Sequence, residues 1–200
     1  MLVIPETNTV FLFPPRTGSE SLLESLHAAY PLSYLLYRHA EADAIPPGYE
    51  NWRKIGFVRH PYMRLWSLYK LIATLPEKPA AAVLEAEMKR LLASVEKHTF
   101  EDWVLYNEEL FISAEPPMPL LYQKHHIPET RKSQETTLRP DLGTVILKFQ
   151  DLTKHMASWK LPECRINASP PIELPKMSKA IKAHMKKYFV WDMEQECGLI

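Results

Sequence analysis

Three times along this 200-residue chain, a short apolar run is followed at once by a segment with helical periodicity. That alternation dictates an α/β fold. Thr9–Pro14 (TVFLFP) precedes Ser19–Ala29, where Leu22, Leu23 and Leu26 share one helical face and Pro31 stops the helix. Lys54–Arg59 (KIGFVR) precedes a helix that opens on Pro61, the residue favoured at the first helical position, and runs to about Ala73. Thr144–Phe149 (TVILKF) precedes a helix over Leu152–Trp159. Ser33–Tyr37 (SYLLY) supplies a further strand. Strands separated by helices predict a central parallel sheet flanked by helices.

The remaining segments are helical or irregular. Ala80–Lys97 places Leu84, Met88, Leu91, Leu92 and Val95 at helical spacing. Thr99 caps a shorter helix, Phe100–Tyr106, with Glu101 and Asp102 in its first turn. Residues 113–143 are proline-rich and polar and predict a long loop. Ser178–Met193 predicts one last amphipathic helix with Ile181, Met185 and Phe189 turned inward.

A chain of this length makes one domain, residues 1–200, and hides about 70% of its unfolded surface. Lys+Arg 24 against Asp+Glu 24 leaves no net charge, which speaks against a nucleic-acid binder held by bulk charge and leaves room for a local basic pocket. No run approaches the ~20 apolar residues of a membrane span. No Lys or Arg precedes Arg16, so a signal peptide would lack its basic region. Cys164 and Cys197 form neither a CxxC pair nor a disulfide framework. Together these features predict a soluble cytoplasmic protein with reduced thiols. Only 5 residues are glycine against 18 prolines, so each glycine calls for a local reason.

One of those glycines lies between the first predicted strand and its helix, in Pro14-Pro15-Arg16-Thr17-Gly18-Ser19-Glu20-Ser21. In an open α/β sheet, ligands gather at the carboxyl ends of the strands. The amides and dipole of a helix N-terminus make an anion site there. Gly18 lets the backbone approach the anion, and Arg16 can fork onto its oxygens. The same residues fit an ordinary capped turn, since Thr17 with Glu20 and Ser21 with Glu24 both match capping boxes. The pattern GxxxxGK[ST] is absent, which excludes a Walker A loop.

The second constellation is Val58-Arg59-His60-Pro61-Tyr62-Met63-Arg64-Leu65-Trp66-Ser67-Leu68-Tyr69. Arg59 stands at a strand end, where a ligand would lie, and Ser67 lies nearly two turns inside the helix. Leu65, Leu68 and Ile72 share one face of that helix while Tyr62, Trp66 and Tyr69 share another, so it should be largely buried. Taken singly, Ser67 fits a serine back-bonded to its own helix, and Arg59 fits a carboxylate-paired arginine.

Taken together, these two motifs resemble those of the sulfotransferases that use 3′-phosphoadenosine 5′-phosphosulfate (PAPS). That family carries P-K/R-T/S-G-S/T-T-S-L for the 5′-phosphosulfate and R-x-P-x-x-R-x-x-S-x-Y for the 3′-phosphate. Here the first reads Pro15-Arg16-Thr17-Gly18-Ser19-Glu20-Ser21-Leu22, and the second has every fixed position filled from Arg59 to Tyr69. The likeness is closest to the compact carbohydrate-type branch. It continues loosely through Thr99–Trp103, Ile146–Leu152, Asn167–Ser169 and Tyr188–Asp192, and so covers most of the chain.

The resemblance implies a P-loop-NTPase-like three-layer α/β fold and transfer of a sulfuryl group from PAPS to a hydroxyl-bearing acceptor, a carbohydrate, leaving PAP. It implies no metal ion, no nucleic-acid partner and a glycan or small-molecule acceptor. Arg16 would hold the 5′-phosphosulfate and stabilise the leaving group, with Thr17, Gly18, Ser19, Glu20 and Ser21 cradling the same phosphate. Arg59 and Ser67 would grip the 3′-phosphate. The branch places a histidine base after its second strand; the counterpart here is His39, whose ordinary pKa of about 6.5 suits that work. Arg16 replaces the commoner lysine, and Glu20 replaces a hydroxyl residue, where a carboxylate repels the donor unless it caps or pairs with a cation. His60 takes no role. His125 and His126 are adjacent and lack a third ligand pattern, which argues against a metal site. A PAP-binding module without catalysis and a nucleotide kinase are the alternatives.

Overall fold

The computed structural model describes residues 1–36, 39–74, 92–105, 132–162 and 173–197. The sheet has five strands: β1 (Leu2–Ile4), β2 (Thr9–Leu12), β3 (Tyr34–Leu35), β4 (Arg53–Val58) and β5 (Val145–Lys148), in the order β3-β1-β2-β4-β5. The helices are α1 (Ser19–Ala29), α2 (Pro61–Ala73), α3 (Phe100–Leu105), α4 (Glu135–Leu138), α5 (Leu152–Ser158), α6 (Lys179–Tyr188) and α7 (Val190–Cys197). Residues 92–96 are helical as well. Among the described residues no helix is long and apolar enough to cross a membrane.

The sheet is mixed, which corrects the expectation of a parallel one. β2, β4 and β5 pair in parallel, whereas β1 pairs antiparallel with both β2 and β3. Only a 3-10 turn, Pro5–Thr7, and Asn8 in the left-handed region separate β1 from β2. A link that short closes a hairpin, because a parallel pair needs a crossover of a dozen residues or more. β1 thus runs against the other four, and the carboxyl ends of β2, β3, β4 and β5 face the same edge of the sheet. That edge is where a ligand would be met.

Alternation along the strands fills both faces. Leu2, Ile4, Phe11, Phe13, Ile55 and Phe57 pack under α1 and α5 with Leu22, Leu26 and Met156. Met1, Val3, Val10, Leu12 and Val58 pack on the opposite face with Leu138 of α4 and Trp191 of α7. Gly56 has its reason here: a Cβ on it would meet the Leu138 Cδ2 at 2.1 Å. A third cluster joins α2, α3 and α6 through Tyr62, Leu65, Leu68, Ile72, Trp103, Ile181, Met185 and Phe189.

α1 and α2 keep the bounds that their apolar spacing predicts. The run Ser33–Tyr37 is shorter than expected: the strand is Tyr34–Leu35 at the sheet edge, with both residues exposed. Ser178–Met193 is two helices, not one, because Phe189 leaves helical geometry at φ −131°. Ser178 caps the first of them, its Oγ accepting from the Ile181 amide. Thr99 likewise accepts from the Asp102 amide at the start of α3. The Ala80–Lys97 expectation lies outside the described residues up to 91, as do Tyr106, Asn167–Ser169 and the expected 113–143 loop up to residue 131, with His125 and His126. The described remainder of that loop is not all irregular but holds α4 and a 3-10 turn at Pro140–Leu142.

Candidate anion-binding site

The turn between β2 and α1 enters the left-handed region twice, at Arg16 (φ 68°) and at Gly18 (φ 72°). For arginine that conformation carries strain, of order 1–3 kcal/mol, that the surrounding contacts must hold in place. Those contacts are specific. The Arg16 Nε donates to the Ser67 Oγ at 3.0 Å, and its backbone carbonyl accepts from the Arg59 Nη1 at 3.0 Å. The loop after β2, the residue after β4 and the second turn of α2 are therefore tied into one unit. The two motifs, far apart in sequence, meet at a single place.

Neither of the expected capping boxes starts α1. Thr17 is buried and its hydroxyl donates to the Pro14 carbonyl at 2.7 Å, which holds the loop closed on itself. The N-cap of α1 is Gly18, which brings no side-chain cap. Ser19, Glu20 and Ser21 open the helix; the Ser21 carbonyl accepts from the Ser25 hydroxyl. Ser67 does not settle onto a carbonyl one turn earlier but accepts from Arg16 instead.

Gly18 is required on two counts. Its φ is left-handed, and an added Cβ would stand 2.6 Å from the Phe149 Cε2. Phe149 follows β5 directly, and its ring lies 4.8 Å from the guanidinium carbon of Arg59, a cation–π contact. In the sequence Phe149 reads as the end of a strand, inside the loosely similar stretch Ile146–Leu152, and carries no site role. Its position at a strand's carboxyl end was the signal that it belonged with Arg16 and Arg59.

The electrostatics of the site favour an anion. Burial, and then the charges of Arg16 and Arg64, push the Arg59 guanidinium down to about 10, with the carboxylate of Glu196 opposing. Burial also lowers Arg16, and Glu20 works against it. The Glu20 carboxylate thus bears on the charge of Arg16. The Arg59 Nε is buried without a hydrogen-bond partner among the described residues. Two neighbouring, partly desolvated cations gain from an anion that bridges them.

Arg64, the second arginine of the long motif, is buried and plays a different part. Its Nη2 donates to the Lys132 carbonyl. His39 follows the short β3, and its Nδ1 lies 2.8 Å from the Phe13 carbonyl at the end of β2. A carbonyl can only accept, so Nδ1 carries the proton and Nε2 is the basic nitrogen of the neutral ring. His39 is thereby fixed to the same strand end from which the Arg16 loop departs. Among the described residues no group of three or more His, Cys, Asp or Glu side chains is placed to hold a metal ion.

Gln134 and Asp192 escape the sequence reading as parts of this region. Gln134 bonds both backbone groups of Arg59, and Asp192 bonds Gln134. No family model matches the chain, and no curated protein or solved structure matches it.

Proposed function

We propose that this chain is a sulfotransferase that moves a sulfuryl group from PAPS to a hydroxyl-bearing acceptor of carbohydrate type. One observation carries the reading: Arg16 donates to Ser67 while Arg59 donates to the Arg16 backbone, so the residues matching the two phosphate motifs form one cluster. Charge repulsion within that cluster and a helix α1 that starts on Gly18, which has no side chain to cap it, both suit a ligand with two phosphates.

In this reading Arg59 and Ser67 hold the 3′-phosphate, and Arg16 with the start of α1 holds the 5′-phosphosulfate. The donor supplies a sulfuryl group whose bond to the phosphate oxygen breaks as the acceptor oxygen attacks. Arg16 meets the negative charge that builds on the departing phosphate oxygen; preorganised charge of this kind is commonly the main source of rate enhancement in such reactions. His39 takes the acceptor proton at Nε2, the nitrogen left basic by the bond from Nδ1 to the Phe13 carbonyl.

The test has two arms. PAP should raise the melting temperature of the protein where ATP with Mg²⁺ does not. Labelled sulfate should then pass from PAPS to at least one member of a glycan panel. Stabilisation by ATP in preference to PAP would overturn the reading in favour of a nucleotide kinase. Glu20 supports a second reading, a PAP-binding module without catalysis, because its carboxylate acts on the Arg16 charge that the leaving group would need. That reading predicts stabilisation by PAP with no sulfate consumed.

A further inference from the structure

Arg59 lies one residue beyond the sheet ladder. β4 ends at Val58, which pairs with Lys148 at the end of β5, and β2 ends at Leu12 opposite Gly56. The backbone of Arg59 therefore has no strand to fix it on either side. The side-chain amide of Gln134 takes that place. Its Oε1 accepts from the Arg59 amide at 3.0 Å, and its Nε2 donates to the Arg59 carbonyl at 2.7 Å.

The orientation of that amide is itself determined. The second hydrogen of Nε2 goes to the Asp192 Oδ1 at 2.5 Å, and the same oxygen accepts from the Gln134 backbone amide at 2.9 Å. A flipped amide would set its oxygen against both the Arg59 carbonyl and the Asp192 carboxylate, so only one orientation is satisfied. Both residues are buried, Gln134 at 1% and Asp192 at 0% exposure. The Ser133 hydroxyl donates to the Asp192 Oδ2. Arg64 donates to the Lys132 carbonyl, and the Lys132 ammonium pairs with the Glu41 carboxylate. The segment 132–134 is thus anchored to α2, to α7 and to the stretch after His39.

We propose that Gln134, locked by Asp192, is a positioning residue for Arg59. It sets the backbone from which the guanidinium reaches the Arg16 carbonyl and the Phe149 ring, and so gives the site its discrimination for a 3′-phosphate. The assignment rests on the proposed reading of Arg59 as a 3′-phosphate ligand.

The experiment compares PAP with AMP, which lacks the 3′-phosphate, by calorimetry on the full chain. The wild type should prefer PAP, and Arg59→Ala should abolish the preference. Gln134→Met, close in volume but without the amide, should cut the PAP-to-AMP ratio by about tenfold, the size of one lost charged hydrogen bond, while leaving AMP affinity within about twofold. A purely structural role would lower both affinities together and leave the ratio unchanged. Should Gln134→Met not fold, Gln134→Asn, which withdraws the amide by one methylene, carries the same readout. A wild type that does not distinguish PAP from AMP overturns the phosphate reading and this assignment with it. A wild type that does distinguish them, with a folded Gln134 variant that keeps the full ratio, overturns the assignment alone.

Discussion

The Arg16 Nε and the Ser67 Oγ, fifty-one positions apart in sequence, lie 3.0 Å from each other as donor and acceptor. Arg16 belongs to the turn after β2 and Ser67 to α2, so this one bond joins the two motifs and holds a left-handed arginine in place. Ser67→Ala should loosen Arg16 as well as remove a proposed phosphate ligand. PAP affinity should fall by about tenfold or more in Ser67→Ala and in Arg59→Ala, from the loss of about 1.5–3 kcal/mol for a charged hydrogen bond. Titration calorimetry measures this directly. Undiminished affinity in both variants would remove the two residues from the site.

His39→Ala should separate chemistry from binding. A general base is commonly worth on the order of a hundredfold, so turnover should drop by about that factor while PAP affinity stays within about twofold. Full turnover in His39→Ala would show that the proton leaves by another route.

Gly18→Ala tests the tight approach of the loop to β5. The new Cβ would meet the Phe149 Cε2 at 2.6 Å in a backbone at φ 72°. The left-handed conformation alone costs about 1–2 kcal/mol for a residue with a Cβ. Urea unfolding should record a loss at least that large. PAP affinity should fall with it, since Phe149 must shift and it is the ring on which the Arg59 guanidinium stacks.

His60 should tie stability to pH. Burial pushes its ring below the ordinary histidine value, with the charge of Asp192 opposing. The folded state therefore resists protonation more than the unfolded chain does. Stability is complete above about pH 6.5, the ordinary histidine value, and is lost as pH falls from there toward the lower folded value. Unfolding free energies of the wild type and His60→Asn, compared at pH 7.5 and 5.5, should show a smaller acid loss in the variant. Equal losses would mean that His60 does not contribute to the slope.

Much of the scaffold was legible because it rests on local periodicity. The apolar face of Ser19–Ala29 and Pro61 at the head of α2 set those helices to within their observed bounds, and the apolar runs at Thr9, Lys54 and Thr144 are strands. The edge strand and the hairpin were less legible. Leu2–Ile4 is too short to show alternation, and Tyr34–Leu35 is held by pairing with β1 and not by burial. The break at Phe189 was hidden because Ile181, Met185 and Phe189 keep helical spacing straight through it.

For the site the division is sharper. Residue types and spacing drew attention to Arg16, Gly18 and Arg59, because a glycine in a strand–helix turn and an arginine at a strand end are local patterns; Ser67 entered only through the resemblance of its motif. Only the tertiary structure decided that Thr17 closes its own loop, that Phe149 backs Arg59, and that Gln134 and Asp192 complete the sheet ladder where the strands stop. Those contacts join residues distant in sequence, such as Arg59 and Gln134, seventy-five positions apart. Such partners leave no periodic trace in a sequence, since what brings them together is the packing of one element's end against another's.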